Sequence, residues 1–237
     1  MKIGVLGGTG TAGSAAVTEL LSRGHDVRVL SRGTGFDVTA PEASPGKLDG
    51  LDALVDCLQP SKTSTKAARA VLVDGLGRTL ETAAAAGVDH VVSLSIVGID
   101  GLPLGYYRMK LEQEALVRSG PLPGTVVRAT QFPALFDQAW GATKLMGSIP
   151  APRGPVAPIE PSDVAVALAD AVEEGPSAAD RQIRGAEIVD LRQVARDWKR
   201  ANGSRRPVVP LPAIGGALKA IARGDLVDPS IPTPASR

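Results

Sequence analysis

Residues 4–24 read GVLGGTGTAGSAAVTELLSRG. The run from Lys2 to Gly7 is short and apolar and predicts a buried strand. Residues 11–23 carry Val17, Leu20 and Leu21 at helical spacing and stop at Gly24, a good residue to end a helix. Between strand and helix, glycines fall at 7, 10 and 13, with Gly8 in addition. A glycine turn in that context is suited to a dinucleotide. Gly7 permits the tight turn, Gly10 lets backbone approach a pyrophosphate, and Gly13 lets the helix pack close to the strand. Thr9 and Thr11 flank Gly10 in the same turn. The helix N-terminus then supplies N–H groups and a favourable dipole for phosphate charge.

The end of the next strand bears on which dinucleotide. A site selective for NAD places Asp or Glu about 20 residues beyond the glycines, on the ribose 2′-hydroxyl. Here the chain reads VRVLSRGTG, with Ser31 and Arg32 where the acid would be. A guanidinium can pair with a 2′-phosphate through two charge-assisted bonds, so NADP(H) is favoured over NAD(H). The alternative is an ordinary strand-end cation, or one stacked on the adenine of either cofactor. The FDV run at 36–38 offers Asp37 to the adenine amino group and Val38 to its ring edge, and could be a strand stub.

Outward from the turn, strands are expected at 26–31, 52–57, 90–95 and 124–129, with helices at 66–86 and 107–118 between them. This alternation predicts an α/β fold, a Rossmann-type doubly wound parallel sheet with right-handed crossovers. The later sequence differs. Residues 148–161 are proline-rich and read as extended or loop, helices follow at 162–174 and about 190–201, and PVVPLP at 207–212 suits an edge strand. A single domain is expected, with a nucleotide-binding core at about 1–129, a small substrate lobe at about 130–227 and an unstructured tail at 228–237.

Composition narrows the function classes. Net charge is +1, with 26 basic and 25 acidic residues, which argues against a nucleic-acid surface. The one cysteine, Cys57, can make neither an internal disulfide nor, alone, a structural zinc site, and no metal is expected. No apolar run approaches the roughly 18 residues of a membrane span, and no signal-peptide pattern opens the chain. The expectation is a cytoplasmic protein with a small-molecule substrate, no nucleic-acid or membrane partner, and a homodimer as the oligomer to consider. His25 and His90 read as structural.

GGTGTAGS near the N-terminus, GVDHVVSLSIVGID, YYRMKLEQEALV and VVRATQF together resemble the atypical short-chain dehydrogenase/reductases, specifically the NmrA-like NAD(P)-binding group. The resemblance covers about residues 1–136 well and the remainder loosely. It implies an NADP(H)-dependent reductase. The family's Tyr-x-x-x-Lys pattern falls on Tyr106 and Lys110, its active-site serine on Ser95, and its phosphate glycines on Gly7, Gly10 and Gly13. Many relatives carry an Asn in the helix before the central strand, where this chain has Arg78 or Thr79.

The chemistry expected of these residues is carbonyl, quinone or conjugated-compound reduction. The nicotinamide supplies hydride, and Tyr106 supplies the proton. Lys110, one helical turn on, would lower the phenol pKa and bond the nicotinamide ribose. Ser95 would hydrogen-bond the substrate oxygen. Strand alternation puts Ser93 on the same face, and the choice between the two stays open. Gln131, Phe132, Phe136 and Trp140 are candidates to line a substrate pocket; the three aromatics could equally pack the small lobe against the sheet. Two other classes compete with the reductase: a non-catalytic NADP(H) sensor, and an isomerase that reuses its bound nucleotide.

Overall fold

The computed structural model describes residues 1–44, 46–62, 64–102, 104–142, 147–177 and 179–234. The predicted strands form at β1 (Lys2–Leu6), β2 (Asp26–Leu30), β3 (Ala53–Asp56), β4 (His90–Ile96) and β5 (Gly124–Ala129). With β8 (Arg181–Ile183) they make a six-stranded sheet in the order β2-β1-β3-β4-β5-β8. β1 pairs in parallel with both β2 and β3, and β3 with β4; Val5 faces Val29 on one side and Val55 on the other. The order reverses between β1 and β3, the switch point where such sheets hold ligands beyond their carboxyl ends.

Helices α1 (Thr11–Ser22), α2 (Thr65–Ala68), α3 (Leu76–Ala85), α4 (Gly105–Ser119) and α6 (Pro161–Glu174) accompany this sheet. The long helix expected at 66–86 has an interruption. Arg69–Gly75, between α2 and α3, winds as π-helix. At its end a Cβ on Gly75 would meet the Ala70 and Val38 carbonyl oxygens, each at 2.8 Å. Leu6, Leu30, Phe36, Leu54, Leu76, Leu80, Val91 and Val126 form the main apolar core. Aliphatic residues supply nearly all of it, as the 3% aromatic content requires.

The chain divides into two compact units, but not at a single point. The first is 1–95, 105–128 and 161–182; the second is 96–104, 129–160 and 183–237. The boundary at 128/129 is one of five at which the chain passes between the units. Helix α6 belongs to the first unit because it packs along α1. There Arg23 bonds Glu19 within α1 and reaches Asp170 and Glu173 on α6, both at 2.7 Å.

In the second unit, β6 (Ile149–Pro152) pairs in parallel with β10 (Val208–Leu211), and β7 (Pro155–Val156) antiparallel with β9 (Val189–Asp190). The proline-rich segment is therefore partly strand. The unit also holds α5 (Pro133–Ala142), α7 (Leu191–Ala201) and α8 (Gly216–Arg223). The expected tail is corrected over its described part. Ile231 is buried, and the Arg184 N–H donates to the Pro232 carbonyl at 3.1 Å. Residues 235–237 lie outside the described residues. Among the described residues no helix is long and apolar enough to cross a membrane, and no His, Cys, Asp and Glu cluster could hold a metal.

Candidate functional site

The three glycines of the first turn are glycine for three different reasons. Gly7 has φ +70°, and a Cβ there would meet the Cys57 carbonyl oxygen at 2.7 Å. At Gly13 a Cβ would overlap the Gly7 carbonyl oxygen and meet the Gly8 Cα at 2.8 Å, so α1 could not sit against the turn. Gly10 is exposed, and a Cβ there would meet only the Gly7 oxygen, at 3.3 Å. Its glycine is not demanded by packing within the protein. Gly10 is the N-cap of α1 and offers no side chain to the first-turn N–H groups, and no acidic residue stands in that turn. The helix start is thus open to an anion. Thr9 and Thr11 lie exposed on either side.

Beyond the turn lies a cavity of about 370 Å³, contained in the first unit. Its lining includes Gly7, Thr9 and Gly10 from the glycine turn and Ser31, Arg32, Asp37 and Val38 from the segment after β2. Ser31 and Thr34 lock the loop after β2: the Ser31 N–H donates to Thr34 Oγ1 at 3.0 Å, and that hydroxyl donates to the Val29 carbonyl at 2.8 Å. Arg32 opens this 3-10 turn and is exposed; its carbonyl accepts from the Gly35 N–H at 3.2 Å, and its guanidinium makes no hydrogen bond to a described residue. The FDV run is not a strand. Phe36 is a buried anchor, and Asp37 Oδ1 accepts from the Thr39 hydroxyl (2.7 Å) and N–H (2.9 Å), which hold its carboxyl below the usual range. Arg78 donates to the Thr39 carbonyl at 2.6 Å, and Thr79 to the Gly75 carbonyl at 2.9 Å, so both are engaged within the protein. Burial pushes the Cys57 thiol up to about 12, in line with an inert core thiol.

Tyr106 and Lys110 share the face of α4, but their polar ends part. The half-buried Tyr106 hydroxyl donates to Gln59 Oε1 at 2.7 Å, and Gln59 lines the cavity. Lys110 is buried, and its ammonium donates to the Leu94 carbonyl and to Gln113 Oε1, both at 2.8 Å. The expected lowering of the phenol by Lys110 is corrected: burial dominates and pushes Tyr106 up to about 12. Burial also lowers Lys110, against the opposing charges of Asp56, Cys57 and Glu114.

The serines are also committed. Ser95 Oγ donates to Glu114 Oε1 at 2.5 Å, and Ser93 Oγ to Asp56 Oδ2 at 2.7 Å. With their protons given to carboxylates, both present lone pairs rather than a donor, so the expected hydrogen bond from Ser95 to a carbonyl oxygen is not available in this arrangement. Glu114 is fully engaged: Arg128 donates through Nε (2.9 Å) and Nη2 (2.6 Å), and Arg118 at 2.8 Å. The sequence reading missed Asp56, Gln59, Gln113 and Glu114. One signal was available, since Asp56 ends an otherwise apolar strand next to the glycine turn, and buried carboxylates are rare without a partner.

The four substrate candidates lie in the second unit. Phe136 and Trp140 are buried and stacked, with centroids 5.5 Å apart, and pack with Ile149, Leu191 and Trp198. They belong to an apolar cluster within that unit. Phe132 is half-buried. Gln131 is buried; its Nε2 donates to the Leu226 carbonyl at 3.2 Å, and its Oε1 has no partner among the described residues.

No family model matches the chain. The photosystem II assembly factor Ycf39 of Trieres chinensis is 29% identical over 147 residues, 56% of this chain. The chain spans 46% of that relative's length. Among solved structures, the Citrobacter sp. triphenylmethane reductase complexed with NADP(H) superposes with TM-score 0.74 at 17% identity, covering 97% of this chain and 93% of that one. A short-chain dehydrogenase/reductase superfamily protein from Agrobacterium tumefaciens with bound NAD gives 0.66 at 20% identity, covering 89% and 85%. These likenesses show a fold shared with short-chain dehydrogenase/reductase structures.

Proposed function

We propose that the chain is an NADP(H)-dependent oxidoreductase of the NmrA-like group that reduces a small carbonyl, quinone or conjugated compound. The observation that carries this reading is one cavity lined both by Gly10, at the bare N-terminus of α1, and by Arg32. Its residues fit a dinucleotide: Gly10 leaves room for phosphate, the α1 start offers N–H groups, and no carboxylate ends β2 to oppose a 2′-phosphate. Ser31 and Arg32 would hold that phosphate, with Asp37 and Val38 on the adenine. When bound, the nicotinamide supplies hydride. Lys110 has spent two of its three protons within the protein, and the third would serve a ribose hydroxyl. Tyr106 stays protonated far above neutrality, so it can give a proton once its hydroxyl leaves Gln59.

One observation favours the second reading, a non-catalytic NADP(H)-binding sensor. The hydroxyls of Tyr106, Ser93 and Ser95 each donate to an acceptor inside the protein. Fluorescence titration with NADPH and NADH, followed by turnover on a panel of aldehydes, quinones and conjugated dyes, separates the readings. The enzyme reading expects tighter NADPH binding, turnover of a panel member, and loss of that turnover with retained binding in Tyr106→Phe. Binding with no turnover across the panel supports the sensor. No binding of either nucleotide refutes both.

A further inference from the structure

Asp56 is fully buried at the end of β3, where a carboxylate is costly unless it is paired. Three groups satisfy it. The Leu58 N–H reaches Oδ1 at 3.0 Å, while Ser93 Oγ and Gln113 Nε2 reach Oδ2 at 2.7 and 2.5 Å. The nearest buried cation, Lys110, has no hydrogen bond to it. Gln113 stands between them, giving its amide N–H to Asp56 and taking the Lys110 ammonium on its amide oxygen at 2.8 Å. A glutamine bridging in this sense has only one workable orientation, because a flipped amide would set oxygen against carboxylate and NH₂ against ammonium. The carboxylate thereby fixes the amide, and the amide together with the Leu94 carbonyl fixes the ammonium. Packing alone does not ask for this arrangement, since apolar replacements of buried ion pairs are often neutral or stabilising.

We propose that Asp56, acting through Gln113, is a positioning residue that keeps Lys110 charged and its remaining N–H directed at the cofactor ribose. This rests on the dinucleotide reading of the site. Asp56, Cys57 and Glu114 are the titratable groups whose charge reaches Lys110, and Asp56 contributes the most of the three. Removing its charge leaves burial less opposed, so the ammonium gives up its proton at lower pH.

The test uses the full chain carrying ¹³C-labelled lysine, with Lys110→Met to assign the resonance. Asp56→Asn is expected to lower the Lys110 titration by about one pH unit or more. Calorimetry should show NADP⁺ affinity falling about tenfold on the alkaline side and recovering on the acid side, where the ammonium re-forms. Gln113→Met, which cuts the bridge but spares the carboxylate, should weaken NADP⁺ binding across the pH range. It also serves if Asp56→Asn fails to fold. A folded Asp56→Asn with unchanged lysine titration and unchanged NADP⁺ affinity overturns the role of Asp56 while leaving the nucleotide site standing. For Gln113→Met, undiminished affinity across the range overturns it likewise. Failure of the wild-type chain to bind NADP⁺ or NADPH overturns the site reading, and the ribose role with it.

Discussion

Gly10 and Gly13 differ by three positions and should fail in opposite ways when each gains a single methyl group. In Gly13→Ala the new Cβ overlaps the Gly7 carbonyl oxygen and stands 2.8 Å from the Gly7 carbonyl carbon and the Gly8 Cα. Carbon contacts are comfortable at about 3.5–4.0 Å, and all three neighbours are backbone, so the start of α1 must retreat. Overpacking of this kind costs about 1–3 kcal/mol, and displacement of α1 from the sheet and α6 puts the expected loss near about 3 kcal/mol. For a chain of this size that is a Tm lowered by roughly 6–12 °C. In Gly10→Ala the Cβ meets only one oxygen, at 3.3 Å, and φ −82° suits alanine. The N-cap loss of about 0.5–1 kcal/mol is nearly offset by the stiffer unfolded chain. Stability should hold within about 0.5 kcal/mol. The methyl instead occupies space assigned to phosphate, and a clash of about 1–3 kcal/mol there weakens NADPH binding roughly 5- to 150-fold. Thermal melts and NADPH fluorescence titrations on both variants decide the matter. Gly13→Ala at wild-type Tm, or Gly10→Ala with undiminished NADPH affinity, would refute the reasoning.

Three further outcomes are expected. Arg32→Ala should cost NADPH about 1.5–3 kcal/mol, roughly 10- to 150-fold in Kd, and leave NADH nearly unchanged; equal losses for both would remove the guanidinium from the 2′-phosphate. Tyr106, measured as the phenolate difference spectrum of wild type minus Tyr106→Phe without nucleotide, should ionise near 12, and a midpoint below the ordinary 10 would show that burial does not govern it. Because its folded value is raised, stability from Tyr106 is intact below the unfolded value near 10 and is lost as pH rises towards 12; alkaline melts of Tyr106→Phe should be flatter in that window. Glu114→Gln strips the charge that Arg128 and Arg118 share and should destabilise by about 3–5 kcal/mol in urea, whereas a loss under 1 kcal/mol would contradict the burial of that cluster.

The parallel sheet was legible because its strands are continuous apolar runs and its helices keep a helical period. Each of the first five strands lies within a residue or so of its expected bounds. The π segment at Arg69–Gly75 was not legible, since winding by one extra residue leaves no mark on hydrophobic period. Neither was β8: Arg181–Ile183 is three residues with little apolar character, and it joins the sheet through β5. At the site, the glycines announced themselves by their spacing between a strand and a helix, although Gly7 answers to the Cys57 carbonyl 50 positions away. The partner of Tyr106 did not, because Gln59 lies 47 positions distant, and neither did the partner of Gln113, because Asp56 lies 57 positions distant; only the fold brings them in. The i, i+4 spacing located Tyr106 and Lys110 correctly on one helix face and said nothing of where their polar ends turn.

The interleaving of the two units bears on how this chain could be dissected or recombined. The chain passes from one unit to the other five times, through 95/96, 104/105, 128/129, 160/161 and 182/183. A fragment ending near residue 129 would resemble a complete nucleotide-binding module by its motifs. It would nevertheless expose the face of α1 that α6 covers and leave β5 without its neighbour β8. Neither unit can be transplanted as one contiguous cassette. A graft that preserves the sheet has to carry residues 161–182 with it, and variation in the second unit has to arise in place, within loops that return to the first.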